Sequence, residues 1–418
     1  MTRTLSDSAK HGIRTSMDDV TADPHKIPGC VAVVVDRDGK TLFSHASGKK
    51  GIDTKEPMSL DAVFWIASCT KMIGGIAAMQ LVEQGRLALD DADLVERYCP
   101  ELKTIRILKG IDENCKAETV AKKNRITLRM LLNHTAGFEY TFFNDTVRLY
   151  GQPAGIDEFD CHPSGVLGQP LTFEPAFCTS AARRAKSSSR HRLGIRSIPP
   201  IFHHSSHSPH PTNPTRQVGI DWAGTLIERA TSMSLNEYFQ THIFAPLDLH
   251  HITMFPTPQM KANLAHMHQK TPGHVRARDH LYRRPLIATP AEVPGIYNSA
   301  GAGCFGRPTD YAQILAALLN GGTSPATDNR ILTEESVEEM FTNQIPAFPD
   351  FGRKGVRTAK PTYTNDIPDL YHQPEEQPQG WGLTFMLTIH EAATGRGKNT
   401  AWWAGELIYS MVVGEEGC

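Results

Sequence analysis

The sequence predicts a mixed fold of the α/β (α+β) class, and two local patterns carry that prediction. The first is a hairpin: Cys30-Val31-Ala32-Val33-Val34-Val35-Asp36 reads as a buried strand, Asp38-Gly39 as a tight turn, and Thr41-Leu42-Phe43-Ser44-His45 as the returning strand. The second is an apolar run, Met72-Ile73-Gly74-Gly75-Ile76-Ala77-Ala78-Met79-Gln80-Leu81, which predicts a helix that enters a core. With 418 residues, 40% of them hydrophobic, the chain can bury one large core or two intimately packed ones.

In chain order, Leu5 to Val20 predicts an N-terminal helix, set down as a helix or tail over residues 1–19, ahead of a main domain over 20–413. After the hairpin, Asp61 begins the approach to the apolar helix, which should stop near Gln84-Gly85 with glycine past its end. Leu89-Asp90-Asp91 reads as a turn and Val95 to Leu102 as a short helix. Thr127 is placed to cap a helix through Met130-Leu131-Leu132 that stops at Gly137. His134, within it, reads as a buried histidine bonded to a nearby loop, and Trp222 and Trp381 as core residues.

Charge and cysteine usage narrow the function classes. A net charge of −2 and a pI near 6.8 point to neither nucleic acid nor an anionic membrane surface. No apolar run approaches a membrane span, and Met1 to Pro24 lacks the apolar core of a signal peptide. The eight cysteines have no C-x-x-C spacing, so reduced thiols and a cytoplasmic protein are expected.

The candidate chemistry sits at the start of the apolar helix, in Phe64-Trp65-Ile66-Ala67-Ser68-Cys69-Thr70-Lys71. Ser68 and Lys71 are three residues apart, so on a helix they share a face. A hydroxyl at the first turn, with an amine one turn on, suits nucleophilic catalysis. A lysine held among apolar groups loses solvation of its ammonium, its pKa falls, and it can take the serine proton.

Five segments in order resemble the serine β-lactamase-related superfamily of class C β-lactamases, D,D-peptidases and related esterases, most closely its fungal esterase–transesterase branch. They are Ser68-Cys69-Thr70-Lys71, Leu131 to Phe138, Gly219-Ile220-Asp221-Trp222-Ala223-Gly224, Gly301-Ala302-Gly303 with the helix from Thr309 to Asn320, and Ala401-Trp402-Trp403-Ala404-Gly405. The resemblance implies an antiparallel sheet flanked by helices plus a mostly helical subdomain. Cys30–Asp36 and Thr41–His45 would be its first strands, and Trp381–Leu387 and Ala401–Gly405 its late ones. It implies a Ser68 acyl-enzyme with Lys71 as proton partner. Trp403, Ala404, Gly405 and Glu406 would line the cleft and supply an oxyanion donor just after Gly405, alongside the N–H of Ser68. Trp403 stands where β-lactamases carry the lysine of K-T-G, which favours small-molecule acyl esters or thioesters over β-lactams. No cofactor and no metal are called for; acyl group, acceptor and oligomeric state are left open.

The chain also departs from that pattern. The family phenol should follow Leu171-Thr172-Phe173-Glu174-Pro175 and fall near Arg216, yet residues 176–218 contain no tyrosine. Tyr140 and Tyr150 lie early in the helical subdomain; Tyr297, in Tyr297-Asn298-Ser299, resembles a Y-x-S motif and is the remaining tyrosine candidate, but its position before Gly301-Ala302-Gly303 reads first as structural or rim. Residues 176–217 hold no acidic residue and no apolar periodicity. Three readings compete for them: a gene-model error, a basic disordered insertion, or a metal site built on His203, His204, His207 and His210. The end at Cys418 leaves room for one strand after Gly405, so a shortened C-terminus is expected. The alternatives to an esterase or acyltransferase are a catalytically silent relative or faulty gene model, and a β-lactamase.

Overall fold

The apolar run after Ser68 forms a helix, Thr70–Glu83, and every residue from Thr70 to Leu81 is buried. A helix apolar on all sides has no face for water, so the remaining elements must wrap it. This computed structural model describes residues 4–176, 218–271, 273–351, 357–364, 377–392, 395–405 and 409–413. The helix ends at Gln84, and Gly85 takes φ +67°, a conformation that glycine adopts at little cost.

The N-terminal hairpin pairs Gly29–Val35 with Thr41–Gly48, antiparallel from Gly29 opposite Gly48. A helix at Asp7–Thr21, capped by Ser6, packs on it. That helix runs past residue 19 and is tied down at its end: the Ser47 hydroxyl lies 2.6 Å from Thr21 Oγ1 and donates to Asp18 at 2.6 Å. The late strands Gln379–Trp381, Met386–Thr388, Ala401–Gly405 and Tyr409–Val413 form a four-stranded antiparallel sheet in chain order. The resemblance implies that early and late strands share one sheet; among the described residues they form two separate ladders.

A small sheet of Phe64–Trp65, Phe305–Gly306 and Ile252–Thr253 aims the chain at the nucleophile helix, with Ile66 N–H donating to Cys304 O at 3.0 Å. On the other side, the helix Gly219–Thr231 packs against both Thr70–Glu83 and the short helix Leu128–Leu132. Between the two long helices lies Ala300. A Cβ on Gly74 would meet the Ala300 methyl at 3.4 Å, and one on Gly224 would meet it at 2.8 Å. Thr127 caps Leu128–Leu132 as expected, but the helix stops at Asn133 rather than Gly137, because His134 already has φ +65°.

Among the described residues no helix is long and apolar enough to cross a membrane. Cys30, Cys69, Cys99, Cys115, Cys161 and Cys304 are free thiols. Residues 177–217, which include Arg216 and the four histidines named above, lie outside the described residues, as does Glu406.

Candidate active site

Ser68 lies in a single 3-10 turn, Ala67–Cys69, that feeds the helix, one step earlier than the first α-helical turn in which the sequence reading put it. Ala67 has φ +41°, a left-handed conformation costly for a residue with a Cβ. The turn is held by its surroundings: the Trp65 indole N–H donates to Ala302 O at 2.5 Å, and the Tyr311 hydroxyl donates to Cys69 O at 3.0 Å. Ser68 is 6% exposed and Lys71 is fully buried.

Lys71 Nζ lies 2.9 Å from Ser68 Oγ and donates to Gly301 O at 2.8 Å. Its third contact within reach is the Tyr140 hydroxyl, at 3.4 Å. Local spacing brings Ser68 and Lys71 together; Gly301 and Tyr140 come from distant parts of the chain. The Gly301 segment is itself fixed by Asp221, whose Oδ1 accepts from Ser299 Oγ at 2.7 Å and from Gly301 N–H at 2.9 Å. These are the buried donors that the sequence left unnamed for Asp221. Tyr140 also hydrogen-bonds the Asp221 carboxylate, and burial pushes that carboxyl up from its ordinary range.

Tyr297 is placed differently. Its hydroxyl donates to Asp221 O at 3.0 Å and lies 3.2 Å from Thr225 Oγ1, so it ties down the Gly219–Thr231 helix. The phenol that the fold does bring to Lys71, Tyr140, was set aside at the sequence level because it lies early in the helical subdomain. The only local signal for it is its position two residues beyond the Leu131–Phe138 motif.

The strand Ala401–Gly405 runs against the Ala67–Cys69 turn, and its residues are buried. A Cβ on Gly405 would lie 3.1 Å from Ile66 O, so glycine permits this close approach. Trp403 packs edge-on to Trp381, with ring centroids 4.9 Å apart, and His134 contacts both rings, at 4.9 Å from Trp381 and 6.3 Å from Trp403. Trp222 stacks on Phe138 at 6.3 Å, a core position as read from the sequence.

Among the described residues the expected loop bond of His134 is absent: neither ring nitrogen has a hydrogen-bond partner there. Desolvation, with a smaller effect of the Lys71 charge, pushes its pKa down to about 3, so it is neutral. Beside the serine, burial pushes the Cys69 thiol up to about 12. Among the described residues, no group of three or more His, Cys, Asp or Glu is arranged to hold a metal ion.

The family model described as Beta-lactamase matches residues 16–160 and 216–413, leaving 161–215 between its two parts. The chain is 26% identical over 407 residues to a lovastatin esterase of Penicillium rubens, covering 94% of this chain and 86% of that one. It is 27% identical over 329 residues to the monacolin J acid methylbutanoyltransferase of Aspergillus terreus, covering 76% and 67%. Among solved structures it resembles a simvastatin synthase variant of Aspergillus terreus, with a TM-score of 0.70 at 23% identity over 97% of this chain and 88% of that one.

Proposed function

The chain belongs to the beta-lactamase family, and from that premise we propose that it is a serine hydrolase or acyltransferase, acting on small-molecule esters or thioesters through a Ser68 acyl-enzyme. The observation that carries the reading is the 2.9 Å contact between a fully buried lysine and the Ser68 hydroxyl. As Ser68 Oγ bonds to the acyl carbon, its proton passes to Lys71 Nζ. The tetrahedral intermediate then expels the alcohol or thiol, which leaves with a proton returned by Lys71. Water or a second alcohol reverses the sequence and frees Ser68.

Negative charge on the carbonyl oxygen would be met by the Ser68 N–H and by a donor just after Gly405; losing one such donor typically costs about 10²–10³ in rate. Trp403, which packs on Trp381 and a neutral His134, would put apolar surface where a β-lactam carboxylate needs a cation. That favours esters and thioesters. The names of the esterase and acyltransferase relatives point the same way.

The test is covalent labelling with p-nitrophenyl butyrate. Ser68→Ala should abolish the acyl adduct, and an adduct that survived the substitution would refute the assignment. A second reading, a catalytically silent relative, is favoured by the lack of any tyrosine in residues 176–218. One equivalent of acylation without turnover would fit it; sustained turnover rejects it. Hydrolysis of a chromogenic cephalosporin faster than of the ester would instead favour the β-lactamase alternative.

A further inference from the structure

Residues 176–218 contain no tyrosine, yet a phenol reaches the lysine from elsewhere in the chain. Tyr140 is 5% exposed, and its hydroxyl accepts from Lys71 Nζ at 3.4 Å while donating to Asp221. These contacts form a continuous chain from Ser68 through Lys71 and Tyr140 to Asp221, with Lys71 Nζ in reach of both hydroxyls. The far end is the buried Asp221 carboxyl. Ser299 and the Gly301 N–H are bonded to Asp221 Oδ1, and Gly301 has no side chain to intrude. A Cβ there would lie 2.5 Å from Asp221 Oδ2 and 2.8 Å from the Tyr140 hydroxyl, so both oxygens face the same narrow space.

The loop carrying Tyr140 is held rigidly. Buried Glu158 accepts from Thr141 N–H at 2.5 Å, from Thr141 Oγ1 at 2.8 Å and from Gln169 at 2.9 Å. The Tyr140 ring stacks on Phe142 with centroids 4.7 Å apart. A side chain wanted only for packing would need the ring but not a hydroxyl bonded on both sides.

We propose that Tyr140 is a catalytic phenol of this site, relaying the serine proton between Lys71 and the buried Asp221 carboxylate; the proposal rests on the Ser68 acyl-enzyme reading. When Ser68 Oγ bonds to the acyl carbon, its proton moves to Lys71 Nζ. Lys71 passes a proton to the Tyr140 oxygen as Tyr140 gives its own to Asp221 Oδ2. Three protons each move one place, Lys71 is neutral again, and Asp221 holds the net proton. The reverse shift returns it through Lys71 to the leaving oxygen or sulfur, and no other reactant is consumed.

The experiment is rapid-mixing kinetics with p-nitrophenyl butyrate on the full chain, across pH, for wild type, Tyr140→Phe, Asp221→Asn and the double variant, with folding checked by circular dichroism. A general acid–base group contributes about 10²–10⁴-fold, so Tyr140→Phe should slow acylation by at least about 10²-fold. The double variant should be no slower than the slower single one, because the two residues act as a unit. Rates for Tyr140→Phe within about threefold of wild type, with the same pH profile, would overturn the relay, as would losses that simply multiply. Wild type without any Ser68 adduct would overturn the acyl-enzyme reading itself, a failure visible before any variant is compared. Should a variant not fold, a fluorinated tyrosine at position 140 keeps the ring but makes the phenol more acidic. The pH profile must then shift if the proton is in flight there, and an unchanged profile overturns the proposal.

Discussion

Gly301 occupies a position where a single methyl group decides the outcome. Its carbonyl accepts from Lys71 and its N–H donates to Asp221, and an added Cβ would overlap both Asp221 and Tyr140. Gly301→Ala is therefore expected to lower kcat/KM for an activated ester by at least about 10²-fold, through displaced proton-transfer groups, while circular dichroism stays native. His134 sets a second residue-scale expectation. Its folded pKa of about 3 lies below its ordinary 6.5, so it is neutral in the folded protein and protonates more readily in the unfolded chain. The stability it contributes is present above pH 6.5 and drains away as pH falls toward 3. His280, pushed down to about 4, acts in the same direction. Asp221 and Glu158 are pushed up, and act in the opposite sense, favouring the fold until pH rises through their raised values. Calorimetry on His134→Phe should show a smaller drop in Tm between about pH 7 and 5 than wild type shows.

At the scale of elements, the site depends on how closely two helices approach through Ala300. Gly74 and Gly224 face the same methyl from opposite sides but with different clearance, 3.4 Å against 2.8 Å. Gly74→Ala should be tolerated, and helix propensity can return up to about 1 kcal/mol. Gly224→Ala must push Ala300, and with it Gly301, at a cost of about 1–3 kcal/mol. Chemical denaturation of the two variants side by side checks the contrast, since equal midpoints would show that Ala300 is not wedged.

The same geometry explains what the sequence could disclose. Ser68 and Lys71 were legible because three residues of spacing fix their contact whatever surrounds them. The caps at Thr127 and Gly85 were legible for the same local reason. Tyr140 reaches Lys71 across 69 residues of chain, and Asp221 reaches Gly301 across 80. No periodicity encodes such meetings, because they are set by how whole helices pack. The early end of the Leu128–Leu132 helix was missed because a left-handed histidine leaves no compositional mark.

Over the whole molecule, one guanidinium joins early and late chain. Arg129 donates to both Asp90 oxygens at 2.6 and 2.7 Å, to Glu339 at 2.5 Å and to Gln344 at 2.5 Å. Its side chain is 10% exposed, whereas Asp90 is more than half exposed and can recover hydration when unpaired. Arg129→Met is expected to destabilise the protein by about 3 kcal/mol, the lower end of the range for a broken buried pair. A thermal melt would register it, and a loss under about 1 kcal/mol would mean that the late chain is held by apolar packing alone. Cys69 has a practical consequence for reading any covalent adduct. Trypsin would release Ser68 and Cys69 on one peptide, Glu56 to Lys71, where an acyl mass increment alone could not tell oxygen from sulfur. A thiol pushed up to about 12 by burial stays protonated at neutral pH and is a poor nucleophile. The mass shift on that peptide can therefore be assigned to a hydroxyl rather than to Cys69, and its loss in Ser68→Ala assigns it to Ser68, provided that the probe is quenched before the chain is unfolded for digestion.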